Sequence, residues 1–298
     1  MTNTSDDSYL FVSINGNILD NPGAASISIW DTSFHRGDGV FEVLKLVADG
    51  KIRSLTQHLI RLKTSADAVG CPLPSDDTLT EWLLTAATKC ANRGGFLRLI
   101  ATKGDTSHGS APSSVIINWF LGTKWPKSFT LLPLLAPWHV AGAQGWETPI
   151  KWTSYGPNVV STQKATAAGY SDALLLTGDR LACPASNLSL NDCHVLDGPN
   201  FAIGWISNNT LYSPCCKTLG LLPSITLQLV IDLASSKMNM EVQQGVYTLK
   251  DLVSTADEVF VMSTTRGIIP VTHIGSTELP KKSNEFVAKL QRQLDETE

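Results

Sequence analysis

Residues 35–42, HRGDGVFE, lead from a glycine-containing turn into a β-type run. The run continues as Val40–Val47, whose β-branched and aromatic side chains are typical of a strand. Upstream, Tyr9–Ile14 and Asn17–Leu19 flank Asn15-Gly16, a dipeptide that is favoured in tight β-hairpins. The first part of the chain is therefore predicted to contain a hairpin and a further strand.

Beyond this stretch, helical and strand patterns are mixed rather than strictly alternating. Apolar residues at helical spacing predict helices over Thr56–Val69 and Asp77–Ala91, with Thr56 and Ser75 as N-caps. Further elements are predicted as strands at Phe96–Thr102, Ser114–Phe120, Asp172–Leu176 and Phe201–Ile206, and as helices at Val159–Ala168, Ser224–Ser235 and Ser283–Leu294. A mixture of this kind indicates an α+β fold rather than a doubly wound parallel sheet.

Chain length and two prolines set the expected domain boundary. A chain of 298 residues suits two compact domains. Residues 121–136 carry Pro126 and Pro133 between blocks of different pattern, which is typical of a linker. We therefore predict an N-terminal α+β domain over residues 1–120, a linker over residues 121–136 and a C-terminal α+β domain over residues 137–298.

Composition argues against several kinds of partner. Hydrophobic residues make up 43% of the chain, charged residues make up 17%, and the formal net charge is −4. There is thus material for a buried core and no basic excess for nucleic acid or an anionic membrane. The polar N-terminus and the lack of a long apolar run predict neither a signal peptide nor a membrane span. Six cysteines without metal-ligand spacing predict reduced thiols in a cytoplasmic protein and no metal site.

Lys151 is the first candidate for chemistry. It lies between Ile150 and Trp152, and a lysine among apolar groups is costly to charge, which makes its amine available as a nucleophile. Taken alone, however, a lysine at a strand end is more often a surface residue whose stem packs on apolar groups. The case for Lys151 therefore depends on the motifs that accompany it.

These motifs form an ordered series along nearly the whole chain. They are HRGDGVFE at 35–42, HLIRL at 58–62, Lys151, SNL at 186–188, PSIT at 223–226 and MSTT at 262–265. No single motif is specific, but their joint order resembles the fold-type IV pyridoxal-phosphate family. That family contains branched-chain aminotransferases, D-amino-acid aminotransferases and aminodeoxychorismate lyase. The resemblance implies a two-domain fold like that of D-amino-acid aminotransferase, with pyridoxal 5′-phosphate bound by the C-terminal domain.

The resemblance also implies which residues bind the cofactor. Lys151 matches the lysine that forms the Schiff base and then moves the proton between the substrate Cα and the cofactor. Arg61 matches the arginine that binds the cofactor phosphate, and a guanidinium fork suits a phosphate. Ile225 and Thr226 open a helix, whose unpaired N–H groups and dipole favour an anion. The other implied cofactor contacts are Ser186, Ser263 and Thr264.

Substrate recognition is implied at four further positions. Phe41 lies where D-amino-acid aminotransferases have a tyrosine. Arg98 matches an arginine of branched-chain enzymes, Lys103 falls where D-amino-acid enzymes have a carboxylate-binding arginine, and Thr265 lies in a loop that would offer backbone N–H donors. Glu42 has two interpretations: it orients active-site side chains, or it is an outward-facing strand carboxylate.

The sequence departs from the family at the residue that pairs with the pyridine nitrogen of the cofactor. The family has a glutamate five residues before the asparagine that matches Asn187, and this chain has Ala182 there. Without an anionic partner, a buried pyridinium loses stabilisation on the order of several kcal/mol. The resemblance therefore implies a cofactor that is bound but less activated than is usual in the family.

Three functions follow from the resemblance. The first is an aminotransferase that moves an amino group between an amino acid or amine and a 2-oxo acid. The second is a lyase of the aminodeoxychorismate lyase type, in which Lys151 drives elimination. The third is a divergent member whose cofactor chemistry is altered because of Ala182. The resemblance also implies a homodimer.

Overall fold

The computed structural model describes residues 11–109, 111–136, 138, 149–177, 189–280 and 285–297. Contacts divide the chain into two compact units, one formed by residues up to Lys124 together with Ile150–Tyr155, and the other by Trp125–Pro149 and Gly156–Thr297. The first unit contains β1 (Val12–Ile14), β2 (Asn17–Ile18), α1 (Thr32–Arg36), β3 (Val40–Lys45), α2 (Leu55–Val69), α3 (Asp76–Cys90), β4 (Phe96–Ala101) and β5 (Val115–Phe120).

The first unit is an antiparallel sheet with helices α2 and α3 packed on one face. The strand order is β2-β1-β5-β4-β3. The tight turn between β1 and β2 is formed by Asn15 and Gly16, both at positive φ, as the dipeptide predicts. Along β3, the alternate residues Val40, Glu42 and Leu44 are buried. Glu42 therefore lies on the core face of the strand, and its outward-facing interpretation is wrong.

The second unit follows in chain order. It contains β6 (Phe129–Leu135), α4 (Gly156–Ala167), β7 (Asp172–Thr177), β8 (His194–Val195), β9 (Ala202–Ser207), β10 (Thr210–Pro214), α5 (Cys216–Leu219), α6 (Ile225–Met238), β11 (Glu241–Gly245), α7 (Leu249–Thr255), β12 (Glu258–Ser263), β13 (Gly267–Ile274), β14 (Thr277–Glu278) and α8 (Glu285–Glu296). No helix in the part of the chain that the structure describes is long and apolar enough to cross a membrane.

A mixed sheet forms the centre of the second unit. Its order is β11-β10-β9-β12-β13-β6-β7-β8, with β14 paired to β13. Alternate residues of β12 face opposite sides: Phe260 packs with α6 and α8, whereas Val259 packs with α7. Helices α4 and α5 share an apolar cluster with β7. The two units together confirm the α+β class.

The two helices predicted beside the first sheet are confirmed as α2 and α3. Ser75 caps α3, where its hydroxyl accepts the Thr78 N–H at 3.2 Å. Helix α2 begins at Leu55, so that its N-cap is Ser54 and not the predicted Thr56. Local patterns therefore locate both helices correctly, with one cap misplaced.

The predicted domain boundaries need two corrections. The division between the units falls between Lys124 and Trp125, inside the predicted linker 121–136, but Phe129–Leu135 forms strand β6, which pairs on both sides. Pro133 is one of the two prolines that predict a linker, but a proline within a strand removes only one ladder hydrogen bond, because only its own N–H is missing. The predicted C-terminal domain, 137–298, also differs, because Ile150–Tyr155 packs with the first unit.

Candidate active site

Lys151 lies on a short extended segment that pairs with the free edge of β3. The Phe41 N–H donates to the Lys151 carbonyl at 2.9 Å, and the Thr153 N–H donates to the Gly39 carbonyl at 2.8 Å. The Lys151 N–H donates to the Ser65 hydroxyl of α2 at 3.1 Å. The lysine backbone is thereby held between β3 and α2, within the first unit.

The Lys151 side chain lies over the ring of Phe41. Its Nζ atom is 4.4 Å from the ring centroid, within the range of a cation–π contact. Tyr155 packs edge-on against the same ring, with centroids 5.5 Å apart. The structure therefore brings together two predicted site residues, Lys151 and Phe41, and places a second aromatic ring beside them.

Glu42 is the centre of a buried ionic cluster on the core face of β3. Arg61 donates from Nε to one carboxylate oxygen and from Nη2 to the other, both at 2.7 Å. His58 Nδ1 lies 2.7 Å from Glu42 Oε2. The side chains of Glu42 and His58 are 2% exposed, and that of Arg61 is 12% exposed. Helix α2 thus presents His58 and Arg61 on the one face that covers Glu42.

The Glu42 carboxylate is ionised. Burial acting alone would raise its pKa, but hydrogen bonds from Arg61 and His58, together with the positive charge of Arg61, lower that pKa to about 2. Because an ionised carboxylate can only accept, His58 Nδ1 carries the proton in this hydrogen bond. The cluster therefore sets the His58 tautomer and the plane of the Arg61 guanidinium.

His58 is a member of this cluster that the sequence analysis did not single out. The sequence feature that could have identified His58 is its spacing from Arg61, because residues three apart share one face of a helix. The pair with Glu42 occupies two of the five N–H donors of Arg61. The phosphate role of Arg61 stays a prediction.

Arg98 and Lys103, both predicted to bind substrate, have different surroundings. Arg98 is exposed on β4, on the same face of the sheet as Phe41, and its guanidinium carbon lies 4.9 Å from the Phe120 centroid. Lys103 Nζ donates to the Val69 carbonyl at the C-terminus of α2 at 2.6 Å. Arg98 thus shares a surface with Phe41, whereas Lys103 is bound to the end of a helix.

In the second unit, the N-terminus of α6 is the first of two candidate anion-binding elements. Ser224 is the N-cap, and its hydroxyl accepts the Leu227 N–H at 3.2 Å. Ile225 and Thr226 are the first two helical residues, where backbone N–H groups have no acceptor in their own helix. The Thr226 side chain is buried. These positions agree with the predicted helix start.

The second element is the turn between β12 and β13. The Ser263 and Thr265 hydroxyls are 3.4 Å apart, and the Arg266 N–H donates to the Ser263 carbonyl at 3.2 Å. Trp125 donates from its indole Nε1 to the Thr265 carbonyl at 3.1 Å. Thr264 lies half-buried within the turn. The predicted residues 263–265 therefore form one ordered hydroxyl-bearing turn.

In the first unit, Lys151 carries an amine, the kind of group that reacts with an aldehyde. In the second unit, the α6 N-terminus and the 263–265 turn carry N–H and hydroxyl groups, the kinds of donor that suit a phosphate. Ser186 and Ala182 lie outside the described residues. Within the described ranges, no group of three or more His, Cys, Asp or Glu side chains is arranged to hold a metal ion.

Comparison with known proteins identifies the family. The family model for amino-transferase class IV matches residues 39–274. A D-alanine aminotransferase from Listeria monocytogenes serotype 1/2a (strain 10403S) is 27% identical over 288 residues, covering 90% of this chain and 89% of that protein. An aminodeoxychorismate lyase from Vibrio harveyi is 22% identical over 283 residues, covering 90% of this chain and 94% of that protein. A solved fold IV transaminase from Curtobacterium pusillum matches with a TM-score of 0.79 at 22% identity, covering 95% of this chain and 94% of that one.

The chain belongs to the class IV aminotransferases, because the family match spans most of its length. It has the fold-type IV architecture and is a pyridoxal-phosphate-dependent enzyme, as the resemblance predicts. The relatives include transferases and a lyase, so the family supports a transaminase or a lyase.

Proposed function

We propose that this protein is an aminotransferase that transfers an amino group between an amino acid or amine and a 2-oxo acid, with Lys151 bearing the cofactor. The observation that carries the proposal is the placement of Lys151. Its backbone is bonded to β3 and α2, and its amine lies over Phe41. An amine held in this way approaches an aldehyde from one direction, which reduces the entropic cost of reaction.

Lys151 Nζ would have two tasks. It would hold the cofactor through the aldehyde carbon and, after the substrate amine takes that place, would move the proton from the substrate Cα to the cofactor. When bound, pyridoxal phosphate supplies the electron-withdrawing ring that stabilises negative charge at this carbon. Phe41 and Tyr155 would shield Nζ from water on one side. Ala182 in place of the family glutamate would weaken the ring's contribution.

Several residues would bind the cofactor phosphate. Arg61 would contribute its guanidinium, whose plane is fixed by the two hydrogen bonds to Glu42. Ile225 and Thr226 would donate from the start of α6. The remaining proposed contacts are Ser186, Ser263 and Thr264.

The substrate would contact Phe41, Arg98, Lys103 and Thr265. Arg98 is the strongest candidate for binding a carboxylate, because it is exposed on the face that carries Phe41 and has a planar fork. Lys103 is the weaker candidate, since its ammonium group donates to the Val69 carbonyl.

A lyase is the second candidate function. The similarity to an aminodeoxychorismate lyase over 90% of this chain supports it. Such an enzyme would use Lys151 in the same position, so that the two activities share their cofactor residues. A divergent member with altered cofactor chemistry is the remaining alternative, supported by Ala182.

We also propose that the protein is a cytoplasmic homodimer. The large apolar side chains of Ile29, Trp30 and Phe34 are exposed shortly before β3, which supports an interface in this region. The cysteines within the described residues are free, which supports a reducing compartment. Sedimentation equilibrium is expected to give the mass of two chains, and the mass of one chain would contradict the dimer.

The test of the proposed function is Lys151→Ala. Purified protein titrated with pyridoxal phosphate is expected to gain a near-visible absorption band, and the variant is expected to lack it because no amine reaches the aldehyde. Lys63→Ala, which removes an exposed lysine from α2, is the matched control and keeps the band. A wild-type protein that gains no band contradicts both the aminotransferase and the lyase.

The same band separates the two activities. An aminotransferase bleaches it when an amine donor is added without an acceptor, because the amino group stays on the cofactor. A 2-oxo acid then restores the band. Release of pyruvate without bleaching would reject the aminotransferase in favour of the lyase.

A further inference from the structure

Arg266, at the end of the turn between β12 and β13, has no role in the function proposed above. Its Nη2 donates to the Asp172 carboxylate at 3.2 Å, and its Nη1 donates to the Asn200 carbonyl at 3.0 Å. The side chains of Arg266 and Asp172 are each 3% exposed. Asp172 is itself anchored, because the Thr162 hydroxyl and the Ala173 N–H donate to its other oxygen.

Aromatic rings surround the Arg266 guanidinium. Its central carbon lies 4.1 Å from the ring centroid of Trp125, 5.3 Å from that of Phe201 and 5.7 Å from that of Phe129. A planar guanidinium can stack on a ring and still donate in its own plane. Trp125 also donates to the Thr265 carbonyl. The ring that stacks on Arg266 therefore also holds the turn.

A buried ion pair of this kind adds little net stability. The cost of desolvating two charges offsets most of their attraction, so that apolar replacements are often neutral. The Asp172–Arg266 pair instead fixes the orientation of the Arg266 side chain, because the guanidinium is held by a carboxylate, a carbonyl and a stacked ring. The backbone of Arg266 is thereby fixed next to Thr265.

We propose that Arg266 is a positioning residue for the cofactor phosphate. Together with Asp172 and Trp125, it holds the turn Ser263–Thr265 in the conformation that receives the phosphate. The inference rests on the proposed function, in which this turn binds that group. Arg266 acts through the backbone, since its Nη1 and Nη2 atoms donate to the Asn200 carbonyl and to Asp172.

The test compares two aldehydes, pyridoxal 5′-phosphate and pyridoxal, which differ only in the phosphate. Both react with Lys151, so near-visible absorbance gives a Kd for each. Trp125→Phe keeps a stacked ring but removes the indole donor. It is expected to raise the Kd for pyridoxal phosphate about fivefold, the effect of one hydrogen bond, and to leave the Kd for pyridoxal unchanged. Arg266→Lys keeps the charge but loses the planar fork. It is expected to raise the Kd for pyridoxal phosphate about tenfold and to leave the Kd for pyridoxal unchanged.

Trp119→Phe is the matched control. Trp119 Nε1 donates to the Gly94 carbonyl at 2.7 Å, so the variant removes an equivalent indole–carbonyl hydrogen bond in the first unit. It is expected to lower the unfolding midpoint and to leave the ratio of the two Kd values at its wild-type value. If Arg266→Lys fails to fold, Trp125→Phe decides the question.

Two outcomes overturn the inference, and Thr264→Val tells them apart. If this variant raises the Kd ratio while Trp125→Phe and Arg266→Lys lower only stability, the positioning role is rejected and the phosphate-binding turn is retained. If Thr264→Val also leaves the ratio unchanged, the turn is not a phosphate contact, and that part of the proposed function fails with the inference.

Discussion

Each unit of the protein contains a buried arginine–carboxylate pair, and the two pairs are built differently. In the first unit, Glu42 accepts from both Nε and Nη2 of Arg61 at 2.7 Å and also from His58. In the second, Asp172 accepts from Arg266 Nη2 at 3.2 Å, and the cation is further surrounded by a carbonyl and aromatic rings.

This difference shows whether the carboxylate or the arginine makes most of the contacts that hold each pair together. In the first, the carboxylate is central, because Arg61 and His58 both donate to Glu42. In the second, the cation is central, because Arg266 would keep its stacked rings and the Asn200 carbonyl if the carboxylate were neutralised. The first pair orients a candidate phosphate-binding side chain, and the second orients a backbone turn.

The largest expected effect comes from neutralising each carboxylate in turn. Glu42→Gln is expected to lower the free energy of unfolding by about 3–5 kcal/mol, because Arg61 stays buried without its anion. Asp172→Asn is expected to cost about 1.5–3 kcal/mol, the value of a charged hydrogen bond, since Arg266 keeps its aromatic contacts. Denaturant titration of both variants measures the difference.

Glu81→Gln is the control for this comparison, because Glu81 is an exposed carboxylate on α3. Its effect is expected to stay within about 0.5 kcal/mol. Equal losses for Glu42→Gln and Asp172→Asn would show that the two pairs depend on their carboxylates to the same degree.

The pH dependence of stability is the next effect in size. The pKa of Glu42 is lowered from 4.5 to about 2 in the folded protein, because the hydrogen bonds from Arg61 and His58 outweigh burial. A folded-state pKa below the unfolded one stabilises the protein above pH 4.5, and this contribution is lost as the pH falls toward 2. The full contribution is about 3 kcal/mol.

Unfolding free energies measured between pH 5 and pH 3 test this expectation. Glu42→Gln should lose the part of the slope that Glu42 contributes, because its side chain does not titrate. Parallel curves for the wild type and the variant would show that other carboxylates cause the acid sensitivity.

Much of the first cluster could be predicted from local sequence. Alternation along HRGDGVFE puts Glu42 on the same strand face as Val40 and Leu44, and His58 and Arg61 are three residues apart on a helix. The buried face of β3 and the face of α2 can each be predicted from local sequence. Local periodicity does not determine how α2 packs on the sheet, and this packing decides whether the two faces meet.

The second cluster had no local signal. Asp172 and Arg266 are 94 residues apart in the sequence, and Trp125 lies in the range predicted to be a linker. The placement of Lys151 in the first unit has the same origin, because its segment is joined to β3 through Thr153 and Gly39, which are 114 residues apart. Pairings of this kind are decided by tertiary packing, so the family resemblance could single out Lys151 but could not locate it in the first unit.

The smallest expected effect concerns Lys103, a cation that depends on neither a buried carboxylate nor an aromatic ring. Its Nζ donates to the Val69 carbonyl at the C-terminus of α2, lies 3.9 Å from Asp38 and is 26% exposed on the side chain. Lys103→Met is expected to cost about 0.5–1 kcal/mol, the value of a cation at the negative end of a helix dipole, and less at high salt. If Lys103 instead binds the substrate carboxylate, the variant would raise KM with little loss of stability. A denaturant titration and a KM measurement on the same variant therefore distinguish a cation that caps a helix from one that binds substrate.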